Sequence, residues 1–444
     1  MKKLIEKDSV LNIYIYLSYL LAIFPVLPYA VRSIAIILWS VLGVVLWRLN
    51  YSGQNEIIKT KEKYLRYLVI STLPFLYLVV SLFYSDNFSE GLKKLIQMMS
   101  LLIFPLIFYL NRNVFTKVIV RRIIWVFCVS VVVFVLLQII VSLFNIDYLL
   151  LDLTEKEIRR NNLSSLTTIE QNRINSIKIR RFRSFILKFG DTHFTYQGLW
   201  ISFVIFVFLR EAYLRFKKNL THSIILLISA SLLIIWLSLL STRMPLLTVL
   251  IASFVTWLLF VKFEIKTFLI LLITSILLSI TSYFVFVPIK VRINEIFSTK
   301  FNLPTSGNDI ETYNSVNVRN GIYYCSFKVI QKNILLGVGV GDSQSELNKC
   351  YENKIGAKIY KWMDYNTHNQ YLFFLVSTGI GGLLLFLISI YIHLKKSITS
   401  RQAMYFYFSI IIILISMTEN ILVRSDGLMF YAFFGNLFLF NSKK

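Results

Sequence analysis

Three side chains in this sequence have the type and setting to handle phosphate oxygens and a hydroxyl proton. Arg243 stands in "LSLLSTRMPLL", between two apolar runs. A charge set that deep is costly and marks many membrane sites, although an arginine snorkelling to an interface has the same pattern. Ser241 and Thr242 beside it offer hydroxyls to phosphate oxygens. Arg319 opens "VRNGIYYCSFKVIQKNIL", whose apolar residues recur at helical spacing. A helix N-terminus favours anions through its N–H groups and dipole; an exposed loop arginine is the plainer reading. His368, in "DYNTHNQYLFFLVSTGIGG", stands with Asn369 at the polar doorway of an apolar helix. Neutral imidazole accepts a hydroxyl proton near neutral pH; the bland alternative is a histidine that only caps its helix.

Two more residues could support them. His193, in "GDTHFTYQGLW", opens an apolar helix as His368 does, which hints at a shared site. Glu419, in "ISMTENILVRSDG", ends another apolar run and could orient a guanidinium, or act as a cap. His222 and His393, near the other ends of apolar helices, read as structural. "GVGVGD" at 337–342 lacks the strand–turn–helix context of a dinucleotide site. No Walker motif, no Asp-x-Asp and no metal-ligand spacing occur, so no cofactor or metal is expected. Of three cysteines, Cys325 and Cys350 share one segment where a disulfide could form, though free thiols are the expectation.

The elements that must carry these residues are membrane helices. The 444 residues are 56% hydrophobic and 16% charged, against about half and a quarter in soluble domains. The formal net charge of +24 points to anionic lipid or an anionic substrate, with membrane outranking nucleic acid. The basic, then apolar N-terminus lacks a small-residue cleavage site and reads as a retained first span. The expectation is an all-α polytopic protein of about twelve spans, near 12–30, 33–48, 66–84, 95–110, 119–145, 194–210, 220–240, 244–262, 267–287, 369–394, 403–419 and 427–441. Lys/Arg-rich connections alternate with poor ones, placing both termini inside.

Two long segments, 146–192 and 288–367, then fall outside, and connections of that length are usually functional. Both are basic; most of that charge reads as solvated surface, with a few residues free to converge on a polyanion. Within the second, "SQSELNKCYE" reads as a short helix with Ser343 as N-cap and Glu346 closing a capping box.

Together the pieces resemble the O-antigen ligase and O-antigen polymerase superfamily of bacterial envelope glycosyltransferases, most closely from about Arg181 to Phe440. The order carries the resemblance: "STR" at 241–243, "NVRNGIYYCSFKVIQKNILLGVGVGD" at 317–342, "THNQYLFFLVSTGIGG" at 367–382 and "TENILVRSDGLMFYAFF" at 418–434. "GDTHFTYQGLW" resembles a His-Pro-Thr-Tyr stretch of some members, with Phe194 in place of the proline, so less is carried onto His193.

The resemblance implies a GT-C-like helical enzyme of the bacterial inner membrane, with its active site on the periplasmic side. Its donor would be a glycan on undecaprenyl diphosphate, its acceptor lipid A–core or a lipid-linked glycan. The family's two arginines map onto Arg243 and Arg319 and its histidine onto His368; a further arginine maps to Arg181 or Arg183, which spacing does not decide. Arginine suits the diphosphate leaving group, whose charge grows as the C1–O bond breaks. The "TENIL" ending leans towards ligases over polymerases. A transporter or lipid flippase is the competing class; it would show repeats, broken helices or ionisable residues at mid-bilayer.

Overall fold

The computed structural model describes residues 2–51, 58–152, 168–240, 242–260, 302–304 and 315–441, and no strand occurs among them. In chain order the helices are α1 (Lys2–Ala22), α2 (Tyr29–Tyr51), α3 (Ile58–Leu82), α4 (Phe88–Met98), α5 (Ser100–Leu110), α6 (Lys117–Phe144), α7 (Ile146–Leu150), α8 (Thr168–Gly190), α9 (Phe194–Arg215), α10 (Leu220–Leu239), α11 (Arg243–Phe260), α12 (Ser315–Lys332), α13 (Ser343–Cys350), α14 (Ile359–Trp362), α15 (Gln370–Thr399), α16 (Ala403–Ser416) and α17 (Ser425–Leu439). Among the described residues eight segments are long and apolar enough to cross a membrane: α2, α3, the α4–α5 pair, α6, α9, α10, α11 and α15. The protein is therefore a helical, polytopic membrane protein. The expected span at 267–287 lies outside the described residues, as do Ser241 and the stretches 153–167, 288–301 and 305–314 of the two long segments.

Three boundaries differ from the sequence expectation, each for a local reason. The first break falls at 23–28 rather than after Ala30, because Pro25 and Pro28 cannot continue a helix and instead shape a single 3-10 turn. α16 and α17 have 14 and 15 residues, about 21–23 Å at 1.5 Å per residue, short of a ~30 Å hydrocarbon layer. The turn between them, which carries Glu419, is thus reached sooner than a full span would allow. The N-cap of α13 is Asp342, one residue before the expected Ser343. Its carboxylate is drawn away to accept the N–H groups of Asp86 and Asn87, and the Ser343 hydroxyl donates to Val340 O.

The chain divides into two compact units, Met1–Ser130 with Lys300–Lys444, and Val131–Thr299. The first is built on a buried aromatic core. Trp39 packs among Phe104, Phe108 and Phe433 at tilted and edge-on angles, with its indole N–H satisfied by Ser18 Oγ at 2.9 Å. Above one end of its helices α12–α14 form a small cap around Ile322, Cys325, Leu347, Tyr351 and Tyr360. Cys325 and Cys350 are joined there, against the expectation of free thiols. The spacing of three cysteines carried no such signal; the pairing arises because α12 and α13 pack side by side. Closing that loop of about 25 residues restricts the unfolded chain by about 3 kcal/mol.

The Gly-x-Gly-x-Gly run acts as a plug. α15 is broken at Gly379, which has φ 64° and ψ −162°. The carbonyls of Val376 and Ser377 accept instead from Val338 N (2.8 Å) and Gly339 N (3.0 Å), and Ile380 N donates to Ile334 O (2.9 Å). Backbone at membrane depth must be satisfied within the protein, and here another piece of main chain does so. Gly337 and Gly379 permit the approach: a Cβ would lie 2.5 Å from Thr378 N in one case and 2.3 Å from Leu335 O in the other. Ser81 and Ser85 of the α3 end then accept Val340 N and Gly341 N.

In the second unit α9 is the hub, buried along most of its length. Gly198 lets Pro245 of α11 pack against it, since a Cβ would lie 2.5 Å from the proline ring. A buried polar chain crosses the same layer: Trp236 Nε1 donates to Gln138 Oε1, Gln138 Nε2 to Gln197 Oε1, and Gln197 Nε2 to Thr192 O.

Candidate functional site

The first unit gathers Arg319, His368, Asn369 and Glu419. Glu419 is buried in the α16–α17 turn and holds one partner on each oxygen. Oε1 accepts from Arg319 Nη2 at 3.1 Å, and Oε2 lies 3.3 Å from His368 Nδ1. The side chains of Arg319 and His368 are 37% and 27% exposed, against 7% for Glu419. The carboxylate is thus the sunken base of the arrangement, and the guanidinium and imidazole are its accessible arms.

Each arm is positioned by its own element. Arg319 lies one turn inside α12 rather than at its first residue, so its side chain rather than the helix end supplies the positive charge. The neighbouring Tyr323 phenol is pushed up by burial, against the lowering effect of the Arg319 charge. His368 has φ 42°, a left-handed conformation that histidine adopts more readily than most residues. Its own N–H is held by Asn366 Oδ1 at 3.0 Å. Such backbone costs about 1–3 kcal/mol and persists only where its surroundings impose it.

Those surroundings are a polar zipper between residues 366–372 and 417–422. Asn369 is the N-cap of α15, its Oδ1 accepting Tyr371 N and Leu372 N, while its Nδ2 donates to Met417 O. Asn420 Oδ1 accepts both Asn369 N (2.7 Å) and Thr367 Oγ1 (3.0 Å). Gln370 Oε1 accepts Leu422 N. Asn369 therefore supports the site by position. Asn420, Thr367 and Gln370 complete the zipper, and sequence reasoning did not single them out. All three lie in the motifs "TENIL" and "THNQ", so adjacency to Glu419 and His368 was the available signal.

Chemically, a carboxylate at Nδ1 fixes the His368 tautomer with its proton on that nitrogen and leaves Nε2 as the basic atom. The same carboxylate aims the Arg319 fork. Among the described residues no three His, Cys, Asp or Glu side chains cluster as metal ligands would.

The second unit holds the remaining candidates. Arg181 is buried, and its guanidinium donates to the carbonyls of Tyr148, Leu151 and Asp152, closing the end of α7. Arg183 lies 4.7 Å over the Phe194 ring. Next to that ring, His193 is the N-cap of α9, its Nδ1 accepting Thr195 N at 3.4 Å. Arg243 is the first residue of α11 and is half-buried. The Thr242 hydroxyl before it donates to Leu237 O.

Residues 225–387 match the O-antigen ligase family model, a stretch that takes in Arg243, Arg319 and His368 and ends before Glu419. That match supports membership of the O-antigen ligase and polymerase family, whose members are glycosyltransferase-like enzymes. No curated protein matches the chain significantly.

Proposed function

We propose that the protein is an O-antigen ligase-type glycosyltransferase that moves a glycan from undecaprenyl diphosphate to a hydroxyl of lipid A–core. The observation that carries this reading is the Glu419 carboxylate bridging Arg319 and His368. His368 Nε2 takes the proton of the acceptor hydroxyl, whose oxygen attacks the anomeric carbon from the face opposite the diphosphate. The new C–O bond forms as the C1–O–P bond breaks, which inverts the anomeric centre. The electron pair departs with undecaprenyl diphosphate, and Arg319 receives the growing charge. No metal is needed where fixed guanidiniums meet that charge.

The disulfide in the α12–α13 cap suits an oxidising compartment, which favours the periplasmic side of the inner membrane for the site. The broken α15 is a feature expected of transporters, yet the Val376 and Ser377 carbonyls are taken up by main chain rather than turned to a passage. That favours the enzyme.

The test is complementation of a deletion strain with wild type, Arg319→Ala or His368→Ala at matched expression, with surface glycan and carrier-linked glycan resolved separately. Long glycan accumulating on the carrier above bare core is the expected result. A single repeat on core would make the protein a polymerase that joins lipid-linked repeats, and normal surface glycan in both variants would return it to the transporter class.

A further inference from the structure

The first unit contains a cavity of about 720 Å³ that the site chemistry above does not use. Its wall includes Asn366, Thr367 and Asn420, the residues immediately before His368 and immediately after Glu419. The cavity and the catalytic arrangement therefore share a partition, the polar zipper itself. Volume is right for a ligand head group, since small-molecule sites run about 300–1,000 Å³.

The lining is divided by chemistry. One side is Ile36 and Ile37 of α2 with Ile96 of α4, Ile103 of α5 and Met99 between those two helices. These belong to membrane-spanning segments, and Ile37 and Ile96 are 61% and 58% exposed. The other side carries Lys94, Arg32 and Arg424, opposed by the single carboxylate of Asp364. Arg32 is consumed by a buried pair with Asp426, which also accepts Tyr29 Oη at 2.8 Å. Asp364 is engaged by Asn348 Nδ2.

Lys94 and Arg424 differ from Arg32. Among the described residues neither has a carboxylate within ion-pair distance. Lys94 Nζ donates to Val340 O (3.1 Å) and Ser343 Oγ (2.9 Å), and an ammonium has three N–H bonds. The nearby Glu90 is taken by Lys93 instead. Arg424 is exposed at the N-cap of α17. A cavity with two such cations on one side and lipid-facing isoleucines on the other is complementary to one kind of molecule: an amphiphile with an anionic phosphate head.

We propose that this cavity is the acceptor-lipid site. The phosphate of a phosphate-bearing lipid lies between Lys94 and Arg424, its chain runs along Ile36, Ile37 and Ile103, and its sugar lies against Asn366, two residues before His368. The acceptor role rests on the glycosyl-transfer reading; capture of the lipid is measurable without it.

The experiment is native mass spectrometry of the full-length protein in neutral detergent, with dioleoyl phosphatidic acid as the probe and dioleoylglycerol as its uncharged counterpart. Wild type is expected to retain the phosphatidic acid. Arg424→Glu, an exposed change, and Lys94→Ala should each lower its apparent affinity by about tenfold, the loss of one charge-assisted contact, while dioleoylglycerol is unaffected. Ile37→Trp should reduce retention of both. Equal retention by all variants overturns the proposal. So does displacement of the lipid by millimolar inorganic phosphate, which would make the occupant a free anion. Loss of retention only in Arg319→Ala would move the lipid to the donor site and also overturn it. If His368→Ala and Arg319→Ala strains keep normal glycan transfer while the Lys94 and Arg424 effects hold, the transfer reading fails and the lipid site stands.

Discussion

The candidate site cations of the two units are fixed in different ways, although Arg210 and Arg215 of the second also share a carboxylate, that of Glu211. In the first, Arg319 and His368 share one carboxylate, and that carboxylate sits in a turn zipped to the residues around the histidine. In the second, Arg181 is held by main-chain carbonyls, Arg183 by the face of a ring, and His193 caps a helix. A shared carboxylate couples two groups, so that changing one alters the other. Carbonyls and rings only place a charge. The comparison teaches that residue type identifies where cations are, while the partner decides whether they act together.

The largest effect should come from breaking the coupled set. His368→Ala is expected to lower the transfer rate roughly 10²–10⁴-fold, the usual worth of a positioned base, and Glu419→Ala should fall in the same range because both arms lose their anchor. Arg181→Lys, measured in the same assay, should leave the rate unchanged. An Arg181→Lys loss as large as that of Glu419→Ala would erase the distinction between the units.

Next in size are changes to the frame beneath the coupled set. Gly379→Ala places a Cβ 2.3 Å from Leu335 O in a residue with φ 64°, so about 1–3 kcal/mol of stability should be lost, read as a lower Tm in detergent. Replacing Cys325 and Cys350 by serine removes the link between α12 and α13 and should cost about 3 kcal/mol. Because α12 carries Arg319, transfer should also weaken; a pair of serines that lowers Tm with no change in transfer would separate the cap from the chemistry. The smallest effect is reserved for His193→Ala, which removes one cap bond from α9. It should cost about 1 kcal/mol or less in thermal unfolding and leave transfer unchanged; a hundredfold rate loss would bring His193 into the site.

Much of this arrangement could be read from the chain. Apolar runs of about 20 residues identify spans because a bilayer demands them, and α6, α9, α10 and α15 fall where the runs lie. Arg319, His368 and Glu419 stood out because each is a charge or a titratable group at the edge of such a run. What pairs with what was not legible. Glu419 is a hundred residues from Arg319 and 51 from His368, and no local pattern encodes a contact across that distance. The Gly-x-Gly-x-Gly run could be set aside as a dinucleotide site, but its role as a plug depends on the break at Gly379 within a long apolar helix, where a glycine is ordinarily read as tolerated. The disulfide was missed for the same reason: its geometry is made by helix packing, not by cysteine spacing.

The central claim is that Arg319, Glu419 and His368 work as one unit, and a double-mutant cycle measures it most directly. Purified full-length protein would be assayed in single turnover for transfer from an undecaprenyl diphosphate-linked glycan, using Glu419→Gln, His368→Ala and the double variant. Coupled groups are non-additive, as catalytic sets generally are. The account predicts that Glu419→Gln added to His368→Ala slows transfer by no more than about threefold beyond His368→Ala alone, well short of the multiplied single losses. Losses that multiply in full would mean that the carboxylate and the imidazole act independently, and would contradict the account.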